Sequence, residues 1–344
     1  MPPFTKLPRP QGHIQISYSP VSPMTWDLAP FNVHFFVYRD VREAMKAMLQ
    51  AVTTIHAQRL EANTASLFDE FIHYRGQADI AHRLLPTRLR GKYREASPRQ
   101  RWAVPEGEAR NHFGDWYEEM EGTRRIDESA QDLPRALLSE RDATELDKLK
   151  LAKGIAEVRG LDEFRQRCVV RHYAGAPSSL MDVSTNVEVA AFFATGGGAR
   201  QPPSAGQIGM LWGIDLNFLA GLFEYEISDV PGGSRIRARE QREAWGDNAK
   251  MFEDQGIEPV SPELTFVSLP FRRPIAQHAR FFSLSAGDGA QLGLMTELTW
   301  WSIIERTAAG CAFIQDGQVY ENASHNITLD SLLPTDEALA TALR

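Results

Sequence analysis

Behind Asp40-Val-Arg-Glu43, apolar residues Val41, Met45, Met48, Val52 and Ile55 recur at helical spacing. This predicts a helix with one buried stripe, running to about Leu60. Asp40 caps it and Glu43 reaches back. Phe71-Ile-His-Tyr74 is aromatic and β-branched, and reads as a short strand ended by a turn at Gly76. From Ala143 to Arg171 a second helical run carries Leu146, Leu149, Leu151, Ile155, Val158, Leu161 and Phe164. Gly154 and Gly160 weaken or divide it before the turn Ala174-Gly-Ala-Pro177. Thr185-Asn-Val-Glu188 has the form of a capping box. The helix behind it, Val187–Ala194, is apolar almost all round and belongs in a core, and Gly196-Gly-Gly198 ends it.

Buried strands are predicted at Gln207–Asp215 and Leu264–Leu269, with a further apolar segment at Trp300–Ile304. Residues 1–32, rich in Pro and Ser, read as an arm over the surface with Met24, Trp26 and Phe31 as anchors. Ser228–Pro262 is long and polar and reads as a loop or lid. His325–Leu343 reads as a turn and a closing amphipathic helix. No repeat and no sharp change of composition appears. The division expected is an N-terminal arm and helix over 1–65 and one domain over 66–344.

The chain has 344 residues, enough to bury a sizeable core. Its net charge of −8 opposes broad electrostatic attraction to nucleic acid while leaving room for a local basic face. Leu84–Arg90 with Lys92 and Arg94 supplies such a cluster, close in sequence to Arg75. Cys168 and Cys311 form no metal or disulfide spacing and read as buried thiols. No apolar run is long enough for a membrane span and the first residues have no apolar signal region, so a cytoplasmic protein without a membrane partner is expected. Phosphate-loop, GxGxxG, HExxH and GxSxG patterns are absent, and the nine histidines have no ligand spacing, so no metal is expected.

The candidate chemistry lies in two pieces about a hundred residues apart, Phe71–Gln77 and Arg171–Ala194, with a third near Gln277. Arg75 at a strand end beside Gly76 suits an anion clamp, and equally a structural ion pair. His172 suits a general acid or base, and equally a histidine hydrogen-bonded at a helix end. Tyr173 suits stacking on a ligand ring or a place in the core. Asp182 suits a catalytic carboxylate or a loop carboxylate held by backbone N–H groups. Ser184 and Thr185 suit the floor of a pocket, or no more than the end of a loop and the start of a helix.

Tyr74-Arg-Gly-Gln77, His172-Tyr-Ala-Gly-Ala-Pro177, Leu180-Met-Asp182 with Asn186 and Ala190–Ala194, Ala276-Gln277 with Phe281, and Leu332-Leu-Pro334 together resemble the FRG domain family over roughly residues 66–340. Val183, Ala174 and Ala279 depart from that pattern. A more distant resemblance links Tyr74-Arg75-Gly76 and Ser184-Thr185 to the Arg and Ser-Thr-Ser motifs of ADP-ribosyltransferases. It implies an α+β fold with a split, mixed β-sheet, an N-terminal helical arm and surrounding helices. It also implies NAD as substrate and transfer of ADP-ribose to a macromolecular acceptor, nucleic acid or protein, as in a toxin or phage-defence effector with an antitoxin or regulatory partner. Carried over, Arg75, His172, Asp182 and Gln277 are catalytic. Tyr74, Gly76, Gln77, Tyr173, Ser184, Thr185 and Phe193 join Arg75 in holding the dinucleotide. The third motif of that family has a Glu where this chain has Gln277. Loss of nicotinamide leaves a cation that a carboxylate stabilises, so Asp182, Glu263 and Glu297 are the candidate substitutes. The rival readings are a non-catalytic nucleotide- or nucleic-acid-binding module, and a nuclease or NAD hydrolase using His172 and Asp182.

Overall fold

The computed structural model describes residues 14–18, 33–61, 72–78, 84–87, 135–175, 178–198, 208–216, 225–238, 263–285, 297, 300, 301, 304, 308–334 and 338–343. Its strands are β1 (Ile14–Tyr18), β2 (Val33–Tyr38), β3 (Ile72–Gln77), β4 (Met181–Ser184), β5 (Gly209–Asp215), β6 (Tyr225–Val230), β7 (Gly233–Ala238), β8 (Glu263–Val267), β9 (Ala279–Ser285) and β10 (Gly310–Ile314). The helices are α1 (Val41–Glu61), α2 (Arg135–Lys153), α3 (Ala156–Arg159), α4 (Glu163–Val169), α5 (Val187–Ala194), α6 (Arg272–Ala276), α7 (Leu329–Leu332) and α8 (Ala338–Ala342). A π-helical turn, Val170–Ala174, follows α4.

The class is α+β, and all ten strands lie in one mixed sheet ordered β1-β2-β10-β5-β3-β4-β9-β8-β7-β6. Only β2 and β10 run parallel. The sheet divides between β3 and β4, which share a single register pair, Tyr74 opposite Ser184. β3 pairs with β5 over its full length. β4 pairs over its full length with β9. Two five-stranded halves therefore meet at one bridge.

Each half has its own core. Against the first pack α1 and α5, burying Met48, Val52, Ala190, Phe192 and Leu211. Each large apolar side chain so buried contributes roughly 1.5–3 kcal/mol. Against the second pack α2, α4 and the π turn, burying Leu149, Cys168, Val170, Tyr173 and Phe281. Cys168 and Cys311 are both buried thiols.

Several sequence expectations change. Within the expected arm, β1 is an edge strand of the sheet, paired with β2; Met24, Trp26 and Phe31 lie outside the described residues. Gly76 does not stop β3, because its backbone stays in register with Leu211. The supposed lid begins as a hairpin, β6–β7, turning at Pro231-Gly232, where Gly232 takes a φ of 80°. Residues 239–262 lie outside the described residues. The cap of α5 is Asn186, whose Oδ1 accepts from Glu188 N at 2.8 Å, and not Thr185. Among the described residues no helix is long and apolar enough to cross a membrane.

Candidate functional site

The separated motif pieces meet in one line across the split. Tyr74 is the β3 residue opposite Ser184 of β4. Ser184 Oγ donates to the carbonyl of Gln277 at 2.8 Å and accepts from Asn186 N at 3.0 Å. Gln277 Nε2 in turn donates to the carbonyl of Leu332 at 2.7 Å. Tyr74, Ser184, Gln277 and Leu332 are all buried. This line explains why residues so far apart in sequence belong to one pattern.

The same contacts give several expected ligand-binding residues other work. Gln277 is buried and gives one amide N–H to Leu332, so that N–H is not available to a ribose. Gln77 is buried, and its Oε1 accepts from Trp212 Nε1 at 2.9 Å. Gly76 is where α5 crosses β3: a methyl group there would overlap the Ala190 carbonyl and stand 2.6 Å from Ala194 N. Phe193 packs against the first core, with its ring edge-on to Phe192. Tyr173 is buried, with the Arg273 guanidinium 5.7 Å over its ring and Phe271 edge-on. Removing the Gln277 amide strands a buried carbonyl, so Gln277→Ala is expected to cost about 1–3 kcal/mol in urea denaturation. A change under about 0.5 kcal/mol, smaller than a typical hydrogen bond, would remove the amide from this line.

At the split itself stands a charged cluster. Arg75, only 9% exposed, sends Nη1 to both the backbone carbonyl and the Oδ1 of Asp182, the latter at 2.9 Å. Its guanidinium occupies the gap where β3 and β4 part, which is the structural ion pair weighed above. Arg171 Nη2 reaches the same Oδ1 at 3.0 Å. Asp182 keeps 33% of its side chain exposed. Burial pushes its carboxyl up, but Arg171, Arg75 and His172 together hold it well below the usual carboxylate range.

His172 lies in the π turn, edge-on to both Tyr173 and Phe281 at 5.3 Å between ring centres. Its Nε2 is buried without a hydrogen-bond partner among the described residues. Burial first, then the charge of Arg273, pushes it down to about 3, with Asp182 opposing. It is therefore neutral at pH 7 and has no proton to donate as an acid. A π turn places one extra residue in the helical backbone, and here it delivers His172 and Tyr173 to the second core.

The open space borders Thr185, just past β4, and none of Arg75, Arg171, His172 and Asp182 lines it. A cleft of about 390 Å³ begins at Thr185 and runs between the α6–β9 turn and Ser268. Thr185 is exposed, and its N–H donates to the His278 carbonyl at 3.1 Å. His278 turns the chain with a φ of 47°, a left-handed conformation uncommon outside glycine. Arg165 and Arg280 also face the cleft, and neither stood out in the sequence. A single charged residue between Ala279 and Phe281-Phe282 was the available signal for Arg280.

The other candidate acids lie elsewhere. Glu263 is buried, pairs with Arg235 at 3.1 Å, and stands opposite Ser285. It is thus at the far end of β9 from Gln277, about 20 Å away at ~3.3 Å per residue. Glu297 is buried. Of the basic cluster after β3, Leu84 and Leu85 are buried and Thr87 accepts from Ser178 N; Arg88, Arg90, Lys92 and Arg94 lie outside the described residues. No protein-family model, no curated protein and no solved structure matches this chain, so its residues and their geometry carry the functional reading.

Proposed function

We propose that this chain transfers ADP-ribose from NAD to a macromolecule, with part of the dinucleotide held in the cleft beside the split in the sheet. The observation that supports this reading is the position of that cleft. It opens between Thr185 and the turn before β9. Those are two of the three segments that the resemblance to FRG domains and ADP-ribosyltransferases assigns to NAD. The third, the Arg75 end of β3, lies against Asp182 of the same β4 strand. A cytoplasmic toxin or phage-defence effector, restrained by an antitoxin or another partner, accords with the same proposal.

A second reading is a nucleotide-binding module without turnover. It is favoured by the commitment of the Gln277 amide to Leu332 and by the two arginines that already neutralise Asp182. Incubation of the full chain with labelled NAD and DNA, RNA or protein separates the two. A covalent adduct on one acceptor class is expected, and NAD binding with no adduct on any class selects the second reading instead.

A further inference from the structure

In the resemblance, the arginine at the end of the first strand orients the dinucleotide by holding phosphate or ribose. Here Arg75 is nearly enclosed, and its Nη1 is committed to Asp182. The cleft has cations of its own. Arg280 leaves β9 opposite Val183 and uses Nη1 to reach Ser268 Oγ at 2.8 Å. Arg165 approaches from α4, beside the β6–β7 turn at Gly232, with its Nε on Asp162 Oδ2 at 2.6 Å. Each guanidinium has five N–H donors in a planar fork, so one bond to a neighbour fixes its direction and leaves donors for a second acceptor.

Among the described residues the lining of the cleft includes no Asp or Glu, and His278 is part of it. Its apolar wall contains Pro274 and Ile275, and Ile275 is 63% exposed. A volume of about 390 Å³ lies at the small end of the ~300–1,000 Å³ usual for ligand sites. That suits one half of a dinucleotide better than the whole.

We infer that Arg280 and Arg165 form the phosphate clamp of this cleft in place of Arg75, taking a nucleoside diphosphate whose ring lies against Ile275 and Pro274. This rests on the reading of the cleft as the NAD site and assigns the diphosphate end within it. The acidic chain as a whole repels an anion at long range, so the clamp acts at contact distance within a Debye length of about 8 Å.

Calorimetric titration of the full chain with ADP and with adenosine tests the clamp. ADP is expected to bind at least tenfold more tightly than adenosine. Arg280→Gln and Arg165→Gln are each expected to weaken ADP roughly ten- to hundredfold, the effect of one charge-assisted hydrogen bond, and to leave adenosine unchanged. Equal binding of ADP and adenosine, no binding of ADP, or ADP affinity indifferent to both substitutions would each overturn it. The labelled-NAD experiment keeps the two ideas apart. An adduct formed while ADP ignores Arg280 and Arg165 removes the clamp and leaves the transferase. Binding of ADP that depends on Arg280, with no adduct, removes the transferase and leaves the clamp.

Discussion

Gly76→Ala is expected to destabilise the chain by 3 kcal/mol or more, at or beyond the upper end of the ~1–3 kcal/mol usual for overpacking. The reason is that the atoms in the way are backbone. The added methyl group meets the Ala190 carbonyl and Ala194 N, so α5 has to move away from β3 as a unit. At Gly213 the neighbours are instead the Met48 and Val52 side chains, which rotate. Gly160→Ala is the matched control: nothing lies within 4 Å and its φ is −75°. It is expected to be neutral or to stabilise by about 0.4–1 kcal/mol, through a less flexible unfolded chain. Urea denaturation of the pair gives the answer. Equal midpoints for the two variants would mean that α5 does not lie on Gly76.

Acidification is expected to weaken the fold through His172 before it touches Asp182. His172 is neutral in the folded chain down to about 3, against an ordinary value of 6.5. Above pH 6.5 it is neutral in both states and costs nothing. Below that, the unfolded chain binds a proton that the folded chain refuses, so stability falls by about 2 kcal/mol between pH 7 and pH 5 and by up to about 5 kcal/mol near pH 3. The Asp182 carboxyl shifts in the same direction from a lower start. Its contribution is complete above the usual carboxylate range of about 4 and is lost only as pH falls through its depressed value. His172→Phe and His172→Asn are each expected to flatten the limb between pH 6.5 and 4. If both lose stability in parallel with the wild type, the proton is being taken up somewhere else.

Local order was readable wherever one helix carried its own pattern. Val187–Ala194 matches α5 residue for residue, and the stripe behind Asp40 matches α1 to within a residue of its end. The breaks at Gly154 and Gly160 fall where α2, α3 and α4 separate. Strands made by distant partners were less legible. β10, Gly-Cys-Ala-Phe-Ile, has no alternation because both its faces are buried, and β2 takes its place between β1 and β10. The motif residues of the site were legible as a group but not in role. A buried amide that caps a carbonyl and an amide that touches a ribose are the same letter in sequence, and only the structure shows that Gln277 gives an N–H to the Leu332 carbonyl. That Arg165 and Arg280 share one cleft could not be read from the sequence, because they sit on separate elements brought together only by the fold.

The strand order also bears on how the chain is made. β10 lies in the middle of the first half-sheet, between β2 and β5, and β9 is an inner strand of the second. During synthesis, then, α1 and β5 leave the ribosome long before the strand that completes their sheet, and β4 waits almost a hundred residues for β9. Such late closure gives slow folding and a long exposure of unpaired edges, so the nascent protein should depend heavily on chaperones until its last quarter has emerged.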